Sequence, residues 1–116
     1  MRIISKIIIT TLAVFFAAWV LPGVSIDKFT TAILVAIVLS VLNNFLKPIL
    51  IFFTIPITFF TFGIFLLFIN AFMIIITSKL VNGFYVGSFG QAFWFSIIVS
   101  VVSSVLEMLD AKFRND

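Results

Sequence analysis

The sequence predicts an all-α membrane protein: four transmembrane helices arranged as two parallel repeats of a helical hairpin, with short paired strands in the two outer loops. Three observations carry this reading. Of 116 residues, 64% are hydrophobic and only 9% are charged, and the mean hydropathy is +1.41. A chain this short cannot hide that much apolar surface from water, so its solvent is lipid. Four apolar runs, 3–21, 30–46, 62–80 and 91–109, approach the ~20 residues needed to cross a bilayer. Finally, the chain aligns with itself at a shift of 60 positions, and the matches include loop residues as well as apolar ones.

The first run follows Arg2 and Lys6 and ends in Trp19-Val20-Leu21-Pro22-Gly23 without a small-x-small cleavage site. It reads as a retained helix rather than a secretory signal. The second ends at Leu46, ahead of Lys47 and Pro48. Between it and the third lies residues 47–61, apolar, interrupted by Pro48 and Pro56, with Thr54, Thr58 and Thr61 at helical spacing. Proline removes a backbone donor and crowds the preceding turn, so this segment reads as a short helix in the membrane interface. The rival reading lengthens the second and third helices and turns at Pro56. A tail, 110–116, follows the fourth run.

Basic residues set the orientation, because they are retained on the cytoplasmic side. Arg2, Lys6, Lys47, Lys112 and Arg114 fall on one side of the bilayer, and Lys28 and Lys79 on the other. Both termini are therefore expected in the cytoplasm.

The 60-residue shift pairs Gly23 with Gly83, Phe29 with Phe89, Ala32 with Ala92, Ser40 with Ser100 and Leu46 with Leu106. Residues 3–46 and 63–106 then read as two copies of one unit within a single domain, entering from the same side and related by an axis along the membrane normal. In the second run Ala32, Ala36, Ser40, Asn43, Asn44 and Lys47 share a stripe. In the fourth, Ala92, Ser96, Ser100, Ser103, Ser104 and Glu107 are its counterpart. Small residues let helices approach closely in lipid, and Ser and Asn can hydrogen-bond across the contact. The stripes are expected to pack on each other, or between copies of the chain; the alternative is a polar, water-bearing path. Lys47 and Glu107, equivalent in the two copies, are expected to form an ion pair. Asn70, mid-way along the third run and opposite Thr10 in the repeat, needs a hydrogen-bond partner in hydrocarbon.

The outer loops, from Leu21 and from Val81, share a glycine turn followed by two-residue alternation: Val24 and Ile26, Phe84 and Val86. Such a pattern predicts short strands, which pair with each other to satisfy their backbones, leaving Phe29 and Phe89 to plug the helix starts.

Chemistry for catalysis is sparse. Without Cys or His there is no thiolate, imidazole or usual zinc or haem ligand, and of the acids Asp27, Glu107, Asp110 and Asp116 none sits mid-membrane or beside a nucleophile; Glu107 and Asp110, one turn apart, read as a solvated helix end. No phosphate-binding or dinucleotide motif is present. The expectation is a non-enzyme without cofactor, metal or nucleic-acid partner.

The stretches L-P-G-V-S-I at 21–26, V-L-N-N-F-L-K-P-I-L at 41–50, T-I-P-I-T at 54–58, T-F-G-I-F-L-L-F-I-N-A at 61–71 and V-N-G-F-Y-V-G-S-F from Val81 together resemble the phage holin superfamily IV, four-span bacterial membrane proteins. The family pattern falls on Pro22, Gly23, Asn43, Lys47, Pro48, Pro56, Gly63, Asn70, Gly83 and Phe89. Asn82 stands where the family commonly has proline, which loosens that turn. The resemblance implies a holin-like protein acting by self-association in the bilayer, as a homo-oligomer. The alternative it leaves open is a chromosomal housekeeping or envelope-stress protein that binds another membrane protein without forming a pore.

Overall fold

The computed structural model describes residues 2–114; the last two residues of the expected tail, Asn115 and Asp116, lie outside them. The elements run α1 (Arg2–Val20), β1 (Val24–Ile26), α2 (Phe29–Val41), a π-helical turn (Leu42–Leu46), α3 (Lys47–Phe53), α4 (Ile55–Phe60), α5 (Phe65–Leu80), β2 (Phe84–Val86) and α6 (Phe89–Arg114). Among the described residues, Ile3–Val20, Phe29–Phe53 and Phe89–Phe113 are long and apolar enough to cross a membrane, and Phe65–Leu80 is a shorter apolar helix. At 1.5 Å per residue, the 16 residues of α5 span about 24 Å, less than the ~30 Å hydrocarbon core.

The second helix outlasts the boundary expected at Leu46, because the chain accommodates Pro48 without stopping. In an α-helix its ring would crowd the carbonyl of Asn44, four residues back. The π turn relaxes that crowding: the Lys47 N–H reaches back five residues, to Leu42 O, and α3 then continues to Phe53. The break falls instead at Thr54 (φ −112°, ψ 16°), whose Oγ1 donates to Leu50 O at 2.8 Å. Pro56 sits in the first turn of α4, where its missing N–H leaves no bond unmade. So residues 47–53 extend the second helix, and only Ile55–Phe60 form a separate short one.

A reversal follows. Phe62 (φ 55°) and Gly63 (φ 88°) adopt left-handed backbone, while Gly63 N donates to Thr58 O at 2.9 Å and Phe62 N to Phe59 O at 3.2 Å. That paired bonding is a Schellman termination of α4, and it is what shortens α5.

β1 and β2 pair antiparallel, with Val24 opposite Val86 and Ile26 opposite Phe84. Bonds from Asp27 N to Gly83 O (3.1 Å) and Gly87 N to Gly23 O (2.9 Å) close both ends of the ribbon. Val24 and Phe84 point inward and are buried, whereas Phe29 and Phe89 are 49% and 43% exposed. The expected plug at Phe29 and Phe89 is thus corrected. Alternation within each strand aims its first residue at the core, and the rings of Phe29 and Phe89 lie instead against Phe15 (5.6 Å) and Phe68 (6.0 Å).

α1 packs on α2 and α6, and α5 packs on α6 and α2, whereas α2 and α6 are not among the closely packed pairs. The direct packing of their stripes, expected from the sequence, is therefore not made. Each stripe splits instead by depth. Ala32, Ala36, Ala92 and Ser96 are buried toward the ribbon, beside the fully buried Val14, Val35, Ile74 and Phe95. Farther along, Asn43, Asn44, Ser100, Ser104 and Glu107 are exposed, and Ser40, Lys47 and Ser103 half-buried.

Candidate functional site

The lower halves of the two stripes face a polar cleft at the end of the bundle away from the ribbon. One lobe, about 140 Å³, is bounded by Lys6 and Thr10 of α1, Ser40 of α2, Asn43 and Asn44 of the π turn, and Ser100, Ser103 and Glu107 of α6. A second lobe, about 70 Å³, is bounded by Lys47 of α3, Asn70 and Ile74 of α5, and Ser96 of α6. Leu39, Asn43, Val99 and Ser100 border both, so the lobes are neighbours.

Helical spacing accounts for the lining. Asn43 and Asn44 lie three and four residues after Ser40, and Ser103 and Glu107 three and seven after Ser100, so each helix aims one face at the cleft. Lys47 would fall on the same face of a regular helix. The π turn adds roughly one residue of rotation, about 100°, and Lys47 lies with Asn70 in the second lobe while Glu107 lies with Lys6 in the first. The expected ion pair between Lys47 and Glu107 is absent among the described residues: the two border separate lobes at corresponding positions, Lys47 with Asn70 and Glu107 with Thr10.

Hydrogen bonding distinguishes the sealed half from the open one. Three buried hydroxyls bond to their own helix: Thr11 Oγ1 donates to Ile7 O (2.7 Å), Thr77 Oγ1 to Met73 O (2.8 Å) and Ser96 Oγ to Phe93 O (2.8 Å), whereas Thr31 donates to Asp27 and the Thr58 hydroxyl has no partner among the described residues. Ser96 therefore does not bridge to α2. In the cleft, the side chains of Ser40, Asn43, Asn44, Asn70, Ser100 and Ser103 have no protein hydrogen-bond partner among the described residues. The interhelical partner expected for Asn70 is not there; its amide faces the second lobe. Unpaired amides at this depth cost several kcal/mol unless water or a polar group meets them, and the cleft supplies the room.

Nine of the ten residues singled out from the sequence border the cleft; Ser104 lies outside both lobes. Lys6 and Thr10 are the lining residues that the stripes missed. Their spacing, one turn apart on α1, and the equivalence of Thr10 with Asn70 were the available signal.

Residues 1–105 match the model of a family described as mycobacterial phage holins with four transmembrane segments, superfamily IV. The chain belongs to that family. Among its relatives is the uncharacterized membrane protein YvlD of Bacillus subtilis, 36% identical over 88 residues, covering 75% of this chain and 74% of that one. Another is the uncharacterized protein SCO3922 of Streptomyces coelicolor, 36% identical over 100 residues, covering 78% and 80%. No solved structure matches the chain. This member of the holin-like family is thus a membrane protein with a cluster of polar side chains, Lys6, Asn43, Lys47, Asn70, Ser100 and Glu107 among them, around its cleft.

Proposed function

We propose that the chain is a four-span, holin-like protein of the bacterial cytoplasmic membrane, with both termini inside, that works by self-association and without catalysis. The observation that supports this reading most is the seal across the ribbon-side half of the bundle. Ala32, Ala36, Thr77, Ala92 and Phe95 are all fully buried there, and packed side chains leave no path for water. Any permeability must therefore arise between copies of the chain, where the polar residues around Ser100 and Asn43 can meet partners. The repeat is part of the proposal. Residues 22–29 and 82–89 have identical burial patterns, and so, with two exceptions, do 11–20 and 71–80, as expected of a duplicated hairpin. The Schellman turn shortens the third span, and the adjoining residues 61–64, with the apolar Phe62 and Ile64, complete it.

Induced expression in a bacterial host, with membrane potential read by a voltage-sensitive dye, tests the function. Collapse of the potential, with cross-linked oligomers in the membrane fraction, is the expected result. An intact potential at high membrane levels would reject lesion formation. It would favour the second reading, an envelope protein that binds another membrane protein, to which the bacterial sources of YvlD and SCO3922 lend support.

The orientation rests on the five-to-two distribution of basic residues. Reporter fusions after Asp116 and within 81–88 should read cytoplasmic and external, respectively; the reverse pattern would invert the topology.

A further inference from the structure

The second lobe of the cleft adjoins a groove of opposite character. Lys47 lies on α3, and Leu50 and Thr54 follow it at three and seven residues, along one helical face. On α5, Asn70 borders the lobe and its neighbour Ile69 borders the groove. The groove measures about 250 Å³ and is walled by Leu50, Phe65, Phe68, Ile69, Phe72 and Phe89, with Thr54 at its edge. The hydroxyl of Thr54 is turned into its own helix, donating to Leu50 O, so the walls offer no free polar group. An ammonium and a carboxamide thus stand within about one helical turn of an apolar groove.

Charge decides what fits. Lys47 is half-buried, has no ion pair or hydrogen bond among the described residues, and is the one charged residue bordering its lobe. Glu107, which would have neutralised it, borders the other lobe. A half-buried cation beside an unpaired amide and without a counter-charge calls for an anion. The anion must also carry an apolar tail to fill the groove. A zwitterionic head group would bring an ammonium into a lobe with no acid to receive it.

We propose that this lobe and groove form a binding site for one anionic phospholipid, its phosphodiester on Lys47 Nζ and the Asn70 amide and an acyl chain against Leu50, Phe65, Ile69 and Phe72. The site is complete within one chain and does not depend on self-association, so its failure would leave the proposed function untouched.

Native mass spectrometry of the full chain from dodecyl maltoside micelles tests it. Dioleoylphosphatidylglycerol should remain bound at one molecule per chain, and dioleoylphosphatidylcholine should bind about tenfold more weakly, the scale of one charge-assisted contact. Lys47→Gln should weaken phosphatidylglycerol binding about tenfold, Lys47→Arg should restore it, and Lys79→Gln, at the far end of α5, should leave it unchanged. Glycerol 3-phosphate, which lacks the tail, should fail to compete. Equal retention of the two lipids, or undiminished binding by Lys47→Gln, would overturn the site. Full competition by glycerol 3-phosphate would overturn the groove's part in it. Should Lys47→Gln fail to fold, the comparison of the two lipids on the unaltered chain still decides.

Discussion

Replacing Phe95 with alanine should cost about 3 kcal/mol, enough to unfold much of a marginally stable membrane protein in detergent. Phe95 is fully buried, and its ring lies 5.5 Å from that of Phe84, the inward-facing residue of β2. The ring therefore ties α6 to the ribbon. In lipid the unfolded reference keeps its apolar side chains out of water, so lost packing dominates the penalty, and the estimate sits at the low end of the range for buried aromatics. The repeat-equivalent Val35→Ala, also fully buried, removes two methyl groups rather than a ring and should cost on the order of 1–2 kcal/mol. Reversible denaturation in mixed micelles, followed by circular dichroism, would measure both. Equal losses, or no loss from Phe95→Ala, would contradict this account of the seal.

The second large effect is expected at the ribbon glycines. Gly83 has φ +96°, and a Cβ there would stand 2.6 Å from the Asp27 carboxylate; Gly23 has φ +87°, and its Cβ would overlap the Gln91 carboxamide. Neither side chain can simply swing away. The Thr31 hydroxyl donates to Asp27 Oδ1, and Gln91 Nε2 donates to Pro22 O at 3.0 Å. Gly83→Ala and Gly23→Ala combine left-handed strain of roughly 1–2 kcal/mol with the loss of one of these bonds, worth about 1 kcal/mol, for a total near 2–3 kcal/mol. Gly90→Ala serves as the contrast. Its added methyl would approach only Ser88 Oγ, at 3.9 Å, and it lies in the first turn of α6, so its effect should stay within about 0.5 kcal/mol of neutral. Comparable losses at all three positions would show that the ribbon imposes no special demand for glycine.

Much of this was legible in the sequence for identifiable reasons. Apolar runs and Gly-turn loops are local signals, and they locate α1, α2, α6 and both strands to within a few residues. The inward faces of α2 and α6 were legible too, because three- and four-residue spacing survives folding wherever the helix is regular. What the sequence concealed were departures from regularity. Pro48 looks like a terminator, yet the chain answers it with a wider turn, so the helix end fell seven residues later than expected. Nor does spacing reveal that Lys47 and Glu107, aligned by the 60-residue shift, border separate lobes. The identity of the plug was hidden for another reason: Val24 and Phe29 are equally apolar, and only the direction of the ribbon relative to the bundle decides which one enters it. Likewise, small-residue stripes do not reveal whether two helices touch or face each other across water, since both outcomes require small side chains on the same face.

The π turn at Leu42–Leu46 also sets α2 apart from α6. Its counterpart in α6 is ordinary α-helix, so the rotation occurs once. Under the proposed repeat, identical hairpins would present two equivalent seats, and a ligand would find both or neither. Here one lobe holds a lone cation and the other a cation together with a carboxylate. The unlike residues at corresponding positions, Lys47 and Asn70 against Glu107 and Thr10, make the compartments chemically different, so a ligand drawn to the lone cation would find one seat per chain.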